Sequence, residues 1–133
     1  MMSGKKIFKT DKAAVTGGPY SQAVIHNGLI YVSGQGAVDP ATNEIRLGTI
    51  EEETALGMEN LRIVIEEAGS GLENVLTMTV YLLDIDEYSR FNEVYKQYFE
   101  KDLPARTCIQ AGNLPFGTRV EITATAYLQT EKV

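Results

Sequence analysis

The chain has 133 residues, 44% hydrophobic and 23% charged, with a net charge of −6. That is ordinary globular composition in an amount suited to one domain (residues 1–133), so wholesale disorder is excluded. Twelve Lys and Arg spread thinly through an acidic chain argue against a phosphate-backbone or membrane-surface binder, and no apolar run approaches the roughly 20 residues that span a bilayer.

In chain order, MMSGKKIFKT carries lysines but no apolar core behind them. It does not read as a secretory leader, and the expected location is the cytoplasm. Residues 1–4 and 130–133 read as frayed ends. Ile7 to Thr10 suits a short edge strand. Ala23 to His26 and Leu29 to Ser33 flank Asn27-Gly28, whose tolerance of positive φ predicts a type I′ hairpin. A loop rich in Gly, Pro, Asp and Asn follows, to about Gly48.

The spacing predicts a helix over about Ile50–Ala68, with Thr49 as its cap and Glu52 closing a capping box. Thr54, Met58, Leu61, Ile65 and Ala68 form its buried stripe, and Gly69 is a natural stop. A second helix is expected over about Ile85–Lys101, capped by Asp84 with Glu87 three residues on. Its apolar side is Tyr88, Phe91, Val94 or Tyr95, and Tyr98, and Pro104 lies beyond its end.

Three more strands complete the prediction. Val75 to Leu83 alternates, placing Leu76, Met78, Val80 and Leu82 on one face. Arg106 to Ala111 is shorter. Arg119 to Leu128 carries Val120, Ile122, Ala124, Ala126 and Leu128 on one side, and Glu121, Thr123, Thr125 and Tyr127 among those on the other. Thr77, Thr79 and Tyr81 give the Val75 strand the same Thr/Tyr face. Two helices cover only one face of such a sheet. The other face is too uncharged for open solvent and too polar for a monomer core, which points to packing against further copies of the chain. A solvated, Thr-rich sheet face is the plain alternative.

Candidates for chemistry are few. One histidine, His26, and one cysteine, Cys108, rule out an intramolecular disulfide and offer no paired metal-ligand spacing. No Walker A loop or GxGxxG fingerprint occurs, so no tightly bound cofactor is expected; an all-carboxylate Mg²⁺ or Ca²⁺ site stays open, although no calcium-loop pattern is visible. His26 reads as a surface residue. Cys108 reads as a small strand residue rather than a nucleophile, because no base is assigned beside it. Arg106 and Cys108 share a strand face. If their strand neighbours that of Glu121, a guanidinium for a substrate carboxylate and a carboxylate for a water line one cleft. The same two residues also suit a simple ion pair. Gly17–Ala23 and Ser33–Gly36 are Gly-rich turns able to present Tyr20, Ser33 and backbone N–H groups. Phe91-Asn92 places a core ring beside a polar flank.

GGPYSQAV, YVSGQ, FNEVYKQYF, PARTC and VEI, in this order and spacing, resemble the Rid or YjgF-like family of reactive-intermediate deaminases, its RidA branch in particular. The resemblance runs from about Ile7 to Leu128. Thr107 stands where a smaller residue is expected, and PFGTR replaces a Lys-rich turn, a departure taken not to touch the pocket. The resemblance implies an α+β, chorismate-mutase-like fold: a mixed sheet with two helices on one face, assembled as a homotrimer with intersubunit clefts. It also implies hydrolysis of 2-imino acids or their enamines (2-iminobutanoate, 2-iminopropanoate) to 2-oxo acids and ammonia. Such intermediates come from pyridoxal-phosphate-dependent Ser and Thr dehydratases.

By motif, the resemblance makes Arg106 the carboxylate clamp and Glu121 the residue that activates water. Tyr20, Ser33, Gly34, Asn92 and the Cys108 backbone complete the substrate contacts. No cofactor or metal is implied, since an iminium carbon is already electrophilic. Two other classes stand beside the deaminase. One is a non-catalytic carboxylate-binding or chaperone-like module. The other is an endoribonuclease or translation inhibitor, which the acidic charge and the single histidine disfavour.

Overall fold

The computed structural model describes residues 4–129. Positions 1–3 and 130–133, expected to fray, lie outside the described residues. Six strands form one sheet: β1 (Lys6–Phe8), β2 (Ala23–His26), β3 (Leu29–Gln35), β4 (Val75–Leu82), β5 (Ala105–Gln110) and β6 (Val120–Tyr127). Their order is β1-β2-β3-β6-β4-β5. Every pairing is antiparallel except β4–β5. A parallel pair requires a crossover, and α2 (Tyr88–Tyr95) lies within it. The longer α1 (Ile50–Glu67) connects β3 to β4.

The hairpin forms where Asn27-Gly28 predicts it, with φ of 51° and 79° at the two turn residues. At the start of α1 the Thr49 hydroxyl accepts from the Glu52 N–H at 3.1 Å, and the Glu52 carboxylate accepts from the Thr49 N–H at 2.9 Å. At its end Gly69 turns left-handed, and the Gly69 and Ser70 N–H groups donate to Glu66 and Ile65 carbonyls. Thr54, Met58, Leu61 and Ile65 are buried as the spacing requires, joined by Ile50 and Val64.

The second helical segment is shorter than its apolar pattern implies. A 3₁₀ turn (Ile85–Glu87) precedes α2, and another (Lys96–Tyr98) follows it. The Asp84 carboxylate accepts from Asp86 N at 2.9 Å, a local turn that tightens the chain before α2 begins. Glu87, expected to complete a cap, is instead paired with Arg119 at 3.1 Å.

Both helices cover the sheet face that carries Met78, Val80, Leu82, Val120, Ile122 and Ala124. Leu76 departs from that face. The β4–β6 register shifts between Val75 and Thr77, so Val75 enters the core and Leu76 is left 44% exposed. A bulge of this kind reverses the alternation that period-two reading assumes. The opposite face carries Tyr31, Thr77, Thr79, Thr123 and Thr125 around a shallow depression. Among the described residues, no helix is long and apolar enough to cross a membrane.

Candidate active site

Arg106 sits on β5, at the edge of the sheet. It pairs with Met78, and Cys108 pairs with Val80, so both project to the helix-covered side. There the guanidinium carbon lies 4.8 Å from the Tyr95 ring centre, 5.5 Å from Tyr88 and 5.6 Å from Phe91. Nη1 donates to Asn92 Oδ1 at 2.9 Å and Nη2 to the Tyr88 hydroxyl at 3.0 Å. These partners recur at helical spacing along one side of α2. They hold the guanidinium by ring faces and neutral acceptors, which orient the charge without cancelling it.

Arg46, Arg62, Arg90 and Arg119 each pair with at least one carboxylate. Among the described residues, Arg106 is the arginine without one. A positioned, uncompensated guanidinium can pair with a carboxylate from outside the chain. Beside it, burial pushes the Cys108 thiol pKa up, with only partial opposition from the Arg106 charge. The thiol is therefore kept protonated and is a poor nucleophile. Burial likewise raises the Tyr95 pKa.

Glu121 lies elsewhere. It pairs with Tyr81 on β6 and projects to the face opposite the helices. Burial raises its pKa, which makes the ionised form a stronger base than an exposed carboxylate. Facing it is an irregularity in β3: Val32 pairs with Ala124 and Gln35 with Ile122, so Ser33 and Gly34 together span the position of Thr123. The bulge brings the Gly34 backbone so close that a Cβ there would overlap the Glu121 carboxylate. Ser33 Oγ donates to Ser21 O at 2.5 Å, and the Tyr20 hydroxyl is hydrogen-bonded to Thr16. Tyr20, Ser33, Gly34 and Glu121 line a cleft of about 560 Å³, walled also by Ala37, Val38, Pro115, Phe116 and Thr118.

Two buried polar residues of α1, not singled out in the sequence, support this cleft. The Asn60 amide donates to Gly36 O at 3.0 Å and to Val38 O at 2.7 Å. The Glu53 carboxylate accepts from Gly48 N at 2.9 Å and Arg119 N at 2.8 Å, fixing the entry to β6. The available signal was their place, polar and seven residues apart, on the face that also carries the apolar stripe.

Three expectations are corrected. The condition for Arg106 and Glu121 to line one cleft in a single chain fails: β4 separates their strands, and they point to opposite faces. The simple ion pair between them is absent for the same reason. The PFGTR turn does reach the cleft, through Pro115, Phe116 and Thr118, because the chain folds back over the start of β6. Asn92 joins Arg106, whereas Tyr20, Ser33 and Gly34 join Glu121. His26 is half-buried on β2 and lines neither half. Among the described residues no cluster of His, Cys, Asp and Glu is arranged to hold a metal ion.

Residues 10–128 match the family model described as Endoribonuclease L-PSP. The chain belongs to the Rid/YjgF-like family. This Rid/YjgF-like chain is 46% identical to a RutC family protein of Saccharolobus solfataricus over 122 residues, covering 92% of this chain and 97% of that one. It is 44% identical over 122 residues to the 2-iminobutanoate/2-iminopropanoate deaminase of Bos taurus, covering 92% and 89%. The crystal structure of RidA from a Psychrobacter species superposes with a TM-score of 0.88 at 36% identity, covering 92% of this chain and 99% of its own. The mixed six-stranded sheet with two helices is thus the fold this Rid/YjgF-like chain shares with its structural relatives.

Proposed function

We propose that this chain is a hydrolytic deaminase of 2-imino acids, with its site completed between copies of a homotrimer. The observation that carries the reading is Arg106: fully oriented, against three rings, and without a carboxylate partner among the described residues. The family supports imine chemistry, and the deaminase relative supports 2-iminobutanoate and 2-iminopropanoate as the substrate class.

In this mechanism Arg106 of one copy holds the substrate carboxylate. Glu121 of another takes a proton from water as the oxygen bonds to the C=N carbon of the protonated imine and the π electrons move to the iminium nitrogen, neutralising it. The resulting carbinolamine carries the amine and the new hydroxyl on one carbon. Return of that proton to nitrogen turns the amine into an ammonium leaving group; as the C–N bond breaks, the Glu121 carboxylate takes the hydroxyl proton, C=O forms, and ammonia and the 2-oxo acid are released. Tyr20, Ser33, the Gly34 N–H and the Cys108 backbone contribute polar contacts around the reacting carbon. The raised basicity of Glu121 suits the first proton transfer. With a net charge of −6, the chain repels an anionic substrate at long range, so binding depends on the local preorganisation of Arg106.

The substrates would be the unstable products of pyridoxal-phosphate-dependent Ser and Thr dehydratases, and the site of action cytoplasmic. The test couples such a dehydratase to the purified protein and follows early 2-oxo acid release. Acceleration by wild type and not by Arg106→Ala upholds the reading. A carboxylate that binds at Arg106 with no turnover points instead to a binding module. RNA cleavage that co-purifies through a final column and depends on a named residue points to a ribonuclease.

A further inference from the structure

Phe116 is an aromatic residue placed at a cost that the fold does not repay. Its backbone is left-handed, with φ 64° and ψ 12°, a region that bulky side chains rarely occupy. The residue is 61% exposed and is not part of the buried core. The turn that presents it is fixed on both sides: Leu114 and Thr118 are buried, Gly117 N donates to Leu114 O at 3.2 Å, and Thr118 Oγ1 donates to Pro115 O at 3.2 Å. Strain held in place by its surroundings gathers at functional positions.

The cleft lining combines polar groups, Ser33 and Glu121 among them, with apolar surface from Ala37, Val38, Pro115 and Phe116. A 2-imino acid likewise pairs a polar half, its carboxylate and imine, with a side chain that an apolar wall can receive. We propose that Phe116 is a specificity-determining residue that ranks substrates by side chain, so that 2-imino acids with branched aliphatic or aromatic side chains are turned over more efficiently than 2-iminopropanoate, which remains a substrate. The proposal rests on the deaminase reading for its substrate, and on the apolar walls for its direction. Each methylene accommodated by such a wall is worth roughly tenfold in discrimination.

The test uses imines generated in situ by an L-amino acid oxidase from alanine, leucine and phenylalanine, with catalase present. Wild type is compared with Phe116→Asn, since Asn tolerates left-handed backbone, and with Phe116→Gly. Wild type should favour the leucine-derived over the alanine-derived imine by about tenfold or more in kcat/KM, and the ratio should fall at least fivefold, as a rough threshold, in both variants. An unchanged ratio overturns the proposal. So does dissociation of the variants in sedimentation velocity, which would make Phe116 a contact between copies. Calorimetry with 2-oxopropanoate and 4-methyl-2-oxopentanoate separates the two readings. If no imine is turned over, the deaminase reading fails, while a preference for the larger oxo acid that is lost in Phe116→Asn still upholds the apolar selection. Equal binding of the two acids by wild type overturns it.

Discussion

Arg106 and Glu121 stand on opposite faces of one sheet with strand β4 between them. A site that needs both must draw them from different copies of the chain. Arg106→Ala and Glu121→Gln should each be inactive alone. Unfolded and refolded together at equal amounts, they should recover about a quarter of wild-type activity, because a site works only when each copy supplies its intact half. Activity that never returns on mixing, with the oligomer re-formed, would exclude a site shared in this way.

The closeness of Gly34 to Glu121 makes a second expectation. Gly34→Ala puts a methyl group where the carboxylate sits, so the carboxylate must move. Activity should fall by roughly a hundredfold, since displacing a reacting group by about 1 Å has effects of that order. Melting should change by only a few degrees. Steady-state kinetics beside a thermal melt checks both.

The raised pKa of Glu121 has consequences in two directions. The ionised form accepts the proton, so log(kcat/KM) should fall on acidification through a pKa above the ordinary 4.5. Stability runs the other way. Because folding raises this pKa, its contribution is fully present below the unfolded value and is lost as pH rises through the folded one. Glu121→Gln should therefore melt higher than wild type at pH 7, and the difference should close below pH 4.5. A variant melting lower at pH 7 would contradict this account.

Asn92 offers the guanidinium a neutral acceptor at 2.9 Å. Removing a hydrogen bond to a charged group costs about 1.5–3 kcal/mol. Asn92→Ala should raise KM for 2-imino acids by roughly tenfold or more as Arg106 loses its orientation. Tyr88→Phe, which removes the second acceptor, should act in the same direction. Kinetics with both variants, read against the affinity for a 2-oxo acid, tests whether the loss lies in binding.

Much of the scaffold was legible because it is governed by local chemistry. The Asn27-Gly28 hairpin, the Thr49–Glu52 box and the Gly69 stop each depend on residues a few positions apart. The PARTC and VEI motifs likewise located Arg106 and Glu121 by residue type and order. Local reading failed where one element competes with another: Glu87 leaves a helix cap for Arg119, and the bulge beside Leu76 swaps it with Val75.

By itself, the sequence determined most element types, the apolar stripe of α1 and which residue types, a guanidinium at Arg106 and a carboxylate at Glu121, are on offer for chemistry. It also marked one sheet face as Thr- and Tyr-rich rather than charged. Tertiary structure alone decided which of these residues meet. Strand order is a long-range choice, and inserting β4 between β5 and β6 puts Arg106 and Glu121 on separate strands and opposite faces. The side-chain face is set by pairing register, which a single bulge shifts. Whether a turn such as Pro115–Gly117 reaches a cleft depends on where the chain folds back, and no local spacing encodes that.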